Sequence, residues 1–255
     1  MFSYILVFIS IYNKKYYMKQ KKIIMTGGTG RFASVFKKIN NKKNIFFPSK
    51  KTLDLTNINS IKKYVKKIKP DYLIHCAALS RPMDIHEKNI EESISRNIIG
   101  TCNIVKVCNQ EKIKLIYFST NYVYAGTRGN YKENDPVKPI NNYALSKLGG
   151  ECAVQMYKNS LILRICMSEK PFIHNKAFSD VETNFMYHED FAKHLLKLID
   201  KKGIINIGGP KQKVFKFAKK TNPLVKAVSA KKVLGKNFPL KQSMNINKYL
   251  KIIKK

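Results

Sequence analysis

From residue 22 onward, short apolar runs alternate with longer segments in which apolar residues recur every three or four positions. That alternation restricts the chain to βαβ units wrapped round a parallel sheet. The runs KIIMT (22–26), NIFFP (44–48), YLIHCAA (72–78), KLIYFS (114–119) and SLILRIC (160–166) predict five strands. Between them, Ile58, Ile61, Val65 and Ile68 follow helical spacing until Pro70 closes the segment, and Ile94, Ile98, Thr101 and Val105 repeat the pattern. Beyond about residue 167 the alternation weakens. What remains is one helix, EDFAKHLLKLID (189–200), a strand-like GIINIGG (203–209) and a lysine-rich tail, which predicts a small lobe packed on the strand ends. No internal repeat or low-complexity linker interrupts the chain. At 255 residues it suits one domain, or one domain with a small lobe.

The segment TGGTGRFA (26–33) follows the first predicted strand and opens a helix, the context in which a glycine-rich turn binds a dinucleotide. The expected fold class is therefore α/β, a Rossmann-type doubly wound parallel sheet. Gly27 permits the tight turn, Gly30 lets the backbone approach a pyrophosphate, and Ala33 keeps helix and strand close. The phosphates would rest on the helix N-terminus, with Arg31 and Phe32 as further contacts. The second strand ends in PSKK (48–51), where an NAD-binding fold usually offers a carboxylate to the ribose 2′-hydroxyl. None stands there. Ser49, Lys50 and Arg31 would instead meet a 2′-phosphate, which favours NADP over NAD; the plainer reading makes Lys50 and Lys51 surface lysines. The expected division is residues 18–167 for the dinucleotide-binding domain and 168–255 for the lobe and tail.

Charge needs its own account. The 49 Lys and Arg against 16 Asp and Glu leave a formal +33, a balance that raises nucleic acid or an anionic membrane as partner. The lysines, however, are spread along the whole chain beside many Asn and Ile, with few arginines and no repeated basic-aromatic module. This resembles the codon drift of an AT-rich genome, and no nucleic-acid partner is expected. The positive field would still attract a phosphorylated ligand. Cys76, Cys102, Cys108, Cys152 and Cys166 stand among apolar neighbours without C-x-x-C spacing. They read as buried thiols in a reducing, cytoplasmic setting, not as a disulfide framework or zinc site. The histidines show no metal-binding spacing, so no protein-bound metal is expected.

The stretch FSYILVFISIY (2–12) is apolar but well short of the roughly 20 residues of a spanning helix. It lacks the basic start and small-residue cleavage site of a signal peptide. Met18 opens MKQKKIIMTGG, a natural start for the first strand, so residues 1–17 read as an extension from a mis-assigned start. A membrane-surface anchor is the second reading, and no integral membrane segment is expected.

In NNYALSKLGGE (141–151) a tyrosine and a lysine stand four apart in a helical pattern, so they share a helix face. They are a catalytic acid with its electrostatic helper, or two ordinary helix residues. Wider context bears on the choice. The ordered segments TGGTGRFA, LDLT (53–56), PDYLIHCAA (70–78), NIIGTCNIV (97–105), FSTNYVYAG (118–126), YKENDPVKPINNYALSKLGGE (131–151) and SMNINKYL (243–250) resemble the extended short-chain dehydrogenase/reductase family. Within it they are similar to the dTDP-4-dehydrorhamnose reductase-like, sugar-nucleotide-binding branch. The resemblance covers nearly everything from Lys22 onward and is most specific from Phe118 to Glu151.

That resemblance implies an NADP-dependent reductase of a 4-keto-6-deoxy sugar nucleotide. Tyr143 would be the proton donor and Lys147 its helper, because a nearby cation favours the phenolate over a free phenol of pKa near 10. Thr120 would hydrogen-bond the substrate carbonyl, and Asn97 would complete a proton relay. Asp54 would lie near the adenine, with Ala77 and Ala78 lining the cofactor. Each has a plainer reading: Asp54 as a cap, Thr120 as a turn residue, Asn97 as a brace. An epimerase or dehydratase with NAD, or a non-catalytic NADP-binding subunit, would share the fold, and a homodimer would follow by analogy. One departure concerns the lobe. Only 24 residues separate Arg164 from Glu189, which predicts a shortened substrate lobe; there Lys170, Lys176 or Arg164 would meet a diphosphate, or Arg164 would be a structural ion-pair residue.

Overall fold

The computed structural model describes residues 21–254; the extension read at residues 1–17 and the start at Met18 lie outside them. Six strands form the central sheet: β1 (Ile23–Thr26), β2 (Ile45–Phe46), β3 (Tyr72–His75), β4 (Lys114–Thr120), β5 (Ser160–Ile165) and, later in the chain, β10 (Gly203–Ile207). All neighbours pair in parallel, in the order β10-β5-β4-β3-β1-β2. β1, β3, β4 and β5 are buried along their whole length, which is why they read as unbroken apolar runs and not as alternating ones.

Helices cover both faces. On one side lie α1 (Arg31–Ile39), α7 (His188–His194) and α10 (Asn247–Ile253), whose Phe36, Phe191 and Tyr249 pack on Met25, Ile74, Leu161 and Ile205. On the other lie α2 (Ile58–Ile68), α5 (Gly100–Gln110) and α6 (Asn142–Gln155), with Ile61, Val65, Ile104 and Val154 against Ile24, Leu73 and Leu115. The fold is thus a doubly wound, Rossmann-like sheet. α2 starts where its sequence says it should: the Asn57 side chain accepts from the Asn59 and Ser60 N–H groups. Ahead of α5, two one-turn helices, α3 (Ile85–Lys88) and α4 (Ile90–Ser93), run into a π-helical stretch, Ile94–Ile99. The helical spacing read over 94–105 is real, but the widened turn shifts it and leaves Ile94 and Ile99 exposed.

The division expected after residue 167 does not follow the packing. β10 returns to the sheet beside β5, and α7 and α10 pack on the main core; a parallel edge strand whose inner edge is already paired adds more buried surface than it would in a separate lobe. The lobe is the remainder: β6 (Met167–Ser168), β7 (Lys176–Phe178), β8 (Glu182–Thr183), β9 (Met186–Tyr187), β11 (Gln212–Lys213), α8 (Val214–Lys219), β12 (Lys226–Val228) and α9 (Ala230–Leu234). Its strands pair only as β6-β9, β7-β12 and β8-β11, and Phe172, Val181, Tyr187, Val214 and Phe217 supply its own core. The predicted helix 189–200 ends as a helix at His194 and continues as one tight turn, Leu195–Lys197. Among the described residues no helix is long and apolar enough to cross a membrane.

Gly28, which the motif reading passed over, proves the tighter glycine of the turn. A Cβ there would stand 2.4 Å from the Phe47 carbonyl carbon, and its N–H donates to the Pro48 carbonyl at 3.1 Å. Gly28→Ala is expected to cost about 1–3 kcal/mol by forcing backbone apart, lowering the melting temperature by roughly 2–12 °C. An unshifted melt would show that the turn relaxes freely.

Candidate active site

The chain runs from β1 outward to β2 and then back across to β3, so a crevice opens at the carboxyl ends of β1 and β3 where ligands bind in such sheets. Two loops line it. Gly27 adopts φ +70° and approaches Ala77 so closely that a Cβ would lie 2.9 Å from the Ala77 Cα. The Ala77 N–H donates to Thr26 Oγ1 at 3.1 Å, and Ala77 and Ala78 are half-buried. α1 begins at Gly30 with no side-chain cap and no acidic residue in its first turn, leaving its N-terminal N–H groups to a ligand. A glycine cradle and an uncapped helix start fit a dinucleotide's phosphates.

The candidates around this cradle separate into two groups. Ser49 and Lys50 follow β2; Ser49 shares a hydrogen bond with Thr52, and Lys50 is exposed. Arg31 does not join them. Its Nη2 donates to Ser80 Oγ at 3.1 Å and its Nε lies 3.2 Å from Glu169, on the β3 side of the crevice. The Phe32 side chain is buried among Phe36, Phe118, His188 and Phe191, so only its backbone is placed to meet a ligand. Asp54 Oδ1 accepts from the Thr56 N–H and hydroxyl at 3.0 and 2.8 Å. Those two bonds hold its carboxyl below the usual range and make it the cap of the turn into α2.

Beneath the loops runs a chain of buried hydrogen bonds with one direction. Thr101 Oγ1 donates to the Asn97 carbonyl at 2.7 Å, so it accepts from His75 Nε2 at 3.0 Å. His75 is then neutral with its proton on Nε2, and Nδ1 accepts from Thr26 Oγ1 at 2.9 Å. Burial, reinforced by Lys147, pushes the imidazole down to about 3, consistent with that neutral form. Asn97 is fully engaged as well. Its amide exchanges two bonds with the Leu79 backbone at 2.8 and 2.9 Å and donates to Ser146 Oγ at 2.9 Å, while Ser146 donates to the Tyr143 carbonyl at 2.7 Å. The structure therefore ties Asn97 to the backbone that carries Tyr143.

Tyr143 and Lys147 lie one turn apart on α6, which Asn141 caps by accepting from the Ala144 N–H. Burial pushes the Tyr143 phenol up to about 12, and the Arg31 and Arg81 guanidiniums pull against that rise. Lys147 is itself buried, at 2% exposure. Its stem carries the ammonium inward, 4.2 Å from the Tyr117 ring centroid, and burial pushes it down to about 7 against the opposing pull of Cys76 and Glu151. Sharing a helix thus brings the two side chains to one region, with the ammonium resting against the Tyr117 ring. Thr120 ends β4, buried, and its Oγ1 accepts from the Tyr122 N–H at 3.3 Å; its own proton stays available to donate.

Arg164 takes its structural reading. It is buried against Glu151, with contacts of 3.1, 3.3 and 2.9 Å, and donates to Tyr124 Oη at 2.8 Å. No ligand diphosphate can reach it. Sequence reasoning missed Arg81 and Glu169: Arg81 Nη1 and Nη2 donate to the two Glu169 oxygens at 2.8 and 3.2 Å. A signal was present, because a glutamate in a chain with 16 acidic residues against 49 basic ones stands out.

Residues 21–203 match the family model described as RmlD substrate binding domain. The chain is 32% identical over 157 residues to methionine adenosyltransferase 2 subunit beta of Xenopus laevis, covering 57% of this chain and 46% of that protein. It is 35% identical over 115 residues to the "Probable low-salt glycan biosynthesis reductase Agl14" of Haloferax volcanii, covering 44% and 38%. The chain thus spans less than half the length of these curated relatives. Among solved structures, dTDP-4-dehydrorhamnose reductase of Bacillus anthracis in complex with NADP superposes with a TM-score of 0.80 at 26% identity, covering 90% of this chain and 91% of that one. A dTDP-4-dehydrorhamnose reductase of Clostridium acetobutylicum shares the fold at a TM-score of 0.75 and 23% identity, over 88% and 89%. With a glycine cradle, a Tyr-x-x-x-Lys helix and a family match over most of its length, the chain belongs to the RmlD substrate binding domain family, of the extended short-chain dehydrogenase/reductase type.

Proposed function

We propose that the protein is an NADPH-dependent reductase of a 4-keto-6-deoxy sugar nucleotide, of the dTDP-4-dehydrorhamnose reductase kind. One observation carries this reading: Asn97 bonds the Leu79 backbone, in the loop after β3, and Ser146 Oγ, which donates to the Tyr143 carbonyl, so α6 is tied with its Tyr143 to the loop that lines the crevice. A phenol so placed is an acid beside a dinucleotide cradle. The likeness to the Bacillus anthracis reductase and to Agl14 supports it. Gly27, Gly30 and the N–H groups of Arg31 and Phe32 would hold the pyrophosphate, Ala77 and Ala78 would line the cofactor, and Ser49 with Lys50 would meet a 2′-phosphate.

When bound, the nicotinamide would supply hydride to the keto carbon. The chain's part is proton and charge control. Thr120 would hydrogen-bond the carbonyl oxygen through its hydroxyl and keep its proton, and Tyr143 would give that oxygen its one proton as negative charge develops. Arg31 and Arg81 stabilise the phenolate left behind, and Lys147 acts from below while it is charged. Asn97, through Ser146, is a positioning residue for Tyr143. Five free thiols, of which only Cys152 is exposed, suit a reducing cytoplasm.

The test is to mix the protein with NADPH and enzymatically made dTDP-4-keto-6-deoxy sugar and follow reduced-nicotinamide absorbance. Oxidation that requires the sugar is expected. NADPH binding without oxidation would overturn the reading in favour of a non-catalytic subunit, which the likeness to methionine adenosyltransferase 2 subunit beta favours.

A further inference from the structure

Arg31 and Arg81 come from different loops yet share one carboxylate oxygen. Glu169 Oε1 lies 3.2 Å from Arg31 Nε and 2.8 Å from Arg81 Nη1. Two guanidiniums thus divide a single negative charge. His174 and His188 feel the same three charged groups, and burial pushes both imidazoles down, so neither adds a lasting cation nor supplies a second anion. The Glu169 side chain is only 15% exposed, whereas those of Arg31 and Arg81 are 47% and 35% exposed. Their outer faces meet solvent while the acid lies behind them. Arg forks match phosphoryl oxygens two at a time, and a diphosphate carries more charge than one carboxylate across two separate groups.

We propose that Arg31 and Arg81 form a diphosphate-binding pair at the mouth of the crevice, with the Glu169 carboxylate as the internal counter-ion that an incoming diphosphate replaces. Glu169 stands between β6 and β7, at the start of the lobe, while both arginines belong to the nucleotide-binding sheet. Exchange of Glu169 for ligand therefore frees the lobe's first loop from the sheet at the moment the ligand docks. The proposal rests on the functional reading only for which diphosphate arrives, that of a dinucleotide or that of a nucleoside diphosphate.

Calorimetric titration with inorganic pyrophosphate, NADPH and thymidine diphosphate tests it without turnover. Glu169→Gln removes the competing charge and is expected to tighten pyrophosphate binding about tenfold, one charge-assisted hydrogen bond's worth. Arg81→Gln, whose melting temperature should stay near wild type, is expected to weaken it about tenfold. A parallel change for thymidine diphosphate alone assigns the pair to the substrate side, and for NADPH alone to the cofactor side. Unchanged or weaker binding of all three ligands to Glu169→Gln overturns the proposal. Should that variant not fold, unchanged pyrophosphate binding to Arg81→Gln does so. A protein that binds pyrophosphate in this way yet oxidises no NADPH refutes the reductase reading and leaves the arginine pair standing.

Discussion

Tyr143→Phe is expected to lower turnover of the sugar nucleotide by about 10³-fold, equivalent to roughly 4 kcal/mol of barrier. The Tyr143 phenol is the proton donor of the proposed reaction, and the Arg31 and Arg81 guanidiniums pull against the rise that burial imposes on it. Thr120 can polarise a carbonyl but, as an alcohol, is a far poorer acid. The substitution keeps the ring, and with it the packing on His86 at a centroid distance of 5.2 Å, so folding and NADPH affinity should stay close to wild type. Steady-state kinetics beside an NADPH titration separates the two effects. Near-normal turnover in a folded, NADPH-binding Tyr143→Phe protein would remove Tyr143 from the chemistry.

The second large effect is on stability. Lys147 is buried with its ammonium over the Tyr117 ring and held at about 7, against an ordinary value of 10.5. Between those values the unfolded chain binds a proton that the native protein does not, so stability rises with pH across that window and the whole cost of the buried cation is present below it. At 1.36 kcal/mol per pH unit the cost is roughly 4–5 kcal/mol at neutral pH. Lys147→Met fills the same space without the charge and is expected to be more stable by an amount of that order. Buried Cys76 and Cys166 act in the opposite sense. Burial pushes their thiols up to about 12 from 9.0, so they remove stability above about pH 9. The clean interval is pH 7 to 8.5, where urea unfolding should show wild type gaining roughly 2 kcal/mol and Lys147→Met far less. Equal slopes in both proteins would place the ammonium in water. The same variant should lose activity, because the helper is gone.

The sheet was legible because its strands are buried on both faces and so appear as runs: β4 and β5 follow the runs at 114–119 and 160–166 to within a residue. β2 kept only Ile45 and Phe46, since the chain beyond must bend to pass Gly28, a contact between distant backbones that leaves no periodicity. The lobe was illegible for a related reason. Its strands are two or three residues long and pair across wide separations, as Glu182 does with Lys213. Such short pairings are selected by tertiary packing and not by local pattern. In the site, spacing correctly put Tyr143 and Lys147 on one helix but could not foresee that Lys147 turns inward. Nor could spacing link Arg31 to Glu169, because that contact depends on where the lobe returns to the sheet.

That return has a consequence for biosynthesis. The β5 edge that β10 will cover, Ser160–Ile165, is apolar and buried in the finished protein, and its partner is translated roughly forty residues later. At ribosomal speed this interval lasts roughly 2–8 s. During it the nascent chain presents an open, flat strand edge, the template on which foreign strands add. Only the first part of the lobe, β6 to β9, is synthesised within that same interval, so those residues are the first available to shield the edge. A translational pause between β5 and β10 would lengthen the exposure, and aggregation of this chain should track that pause more closely than the stability of the mature fold.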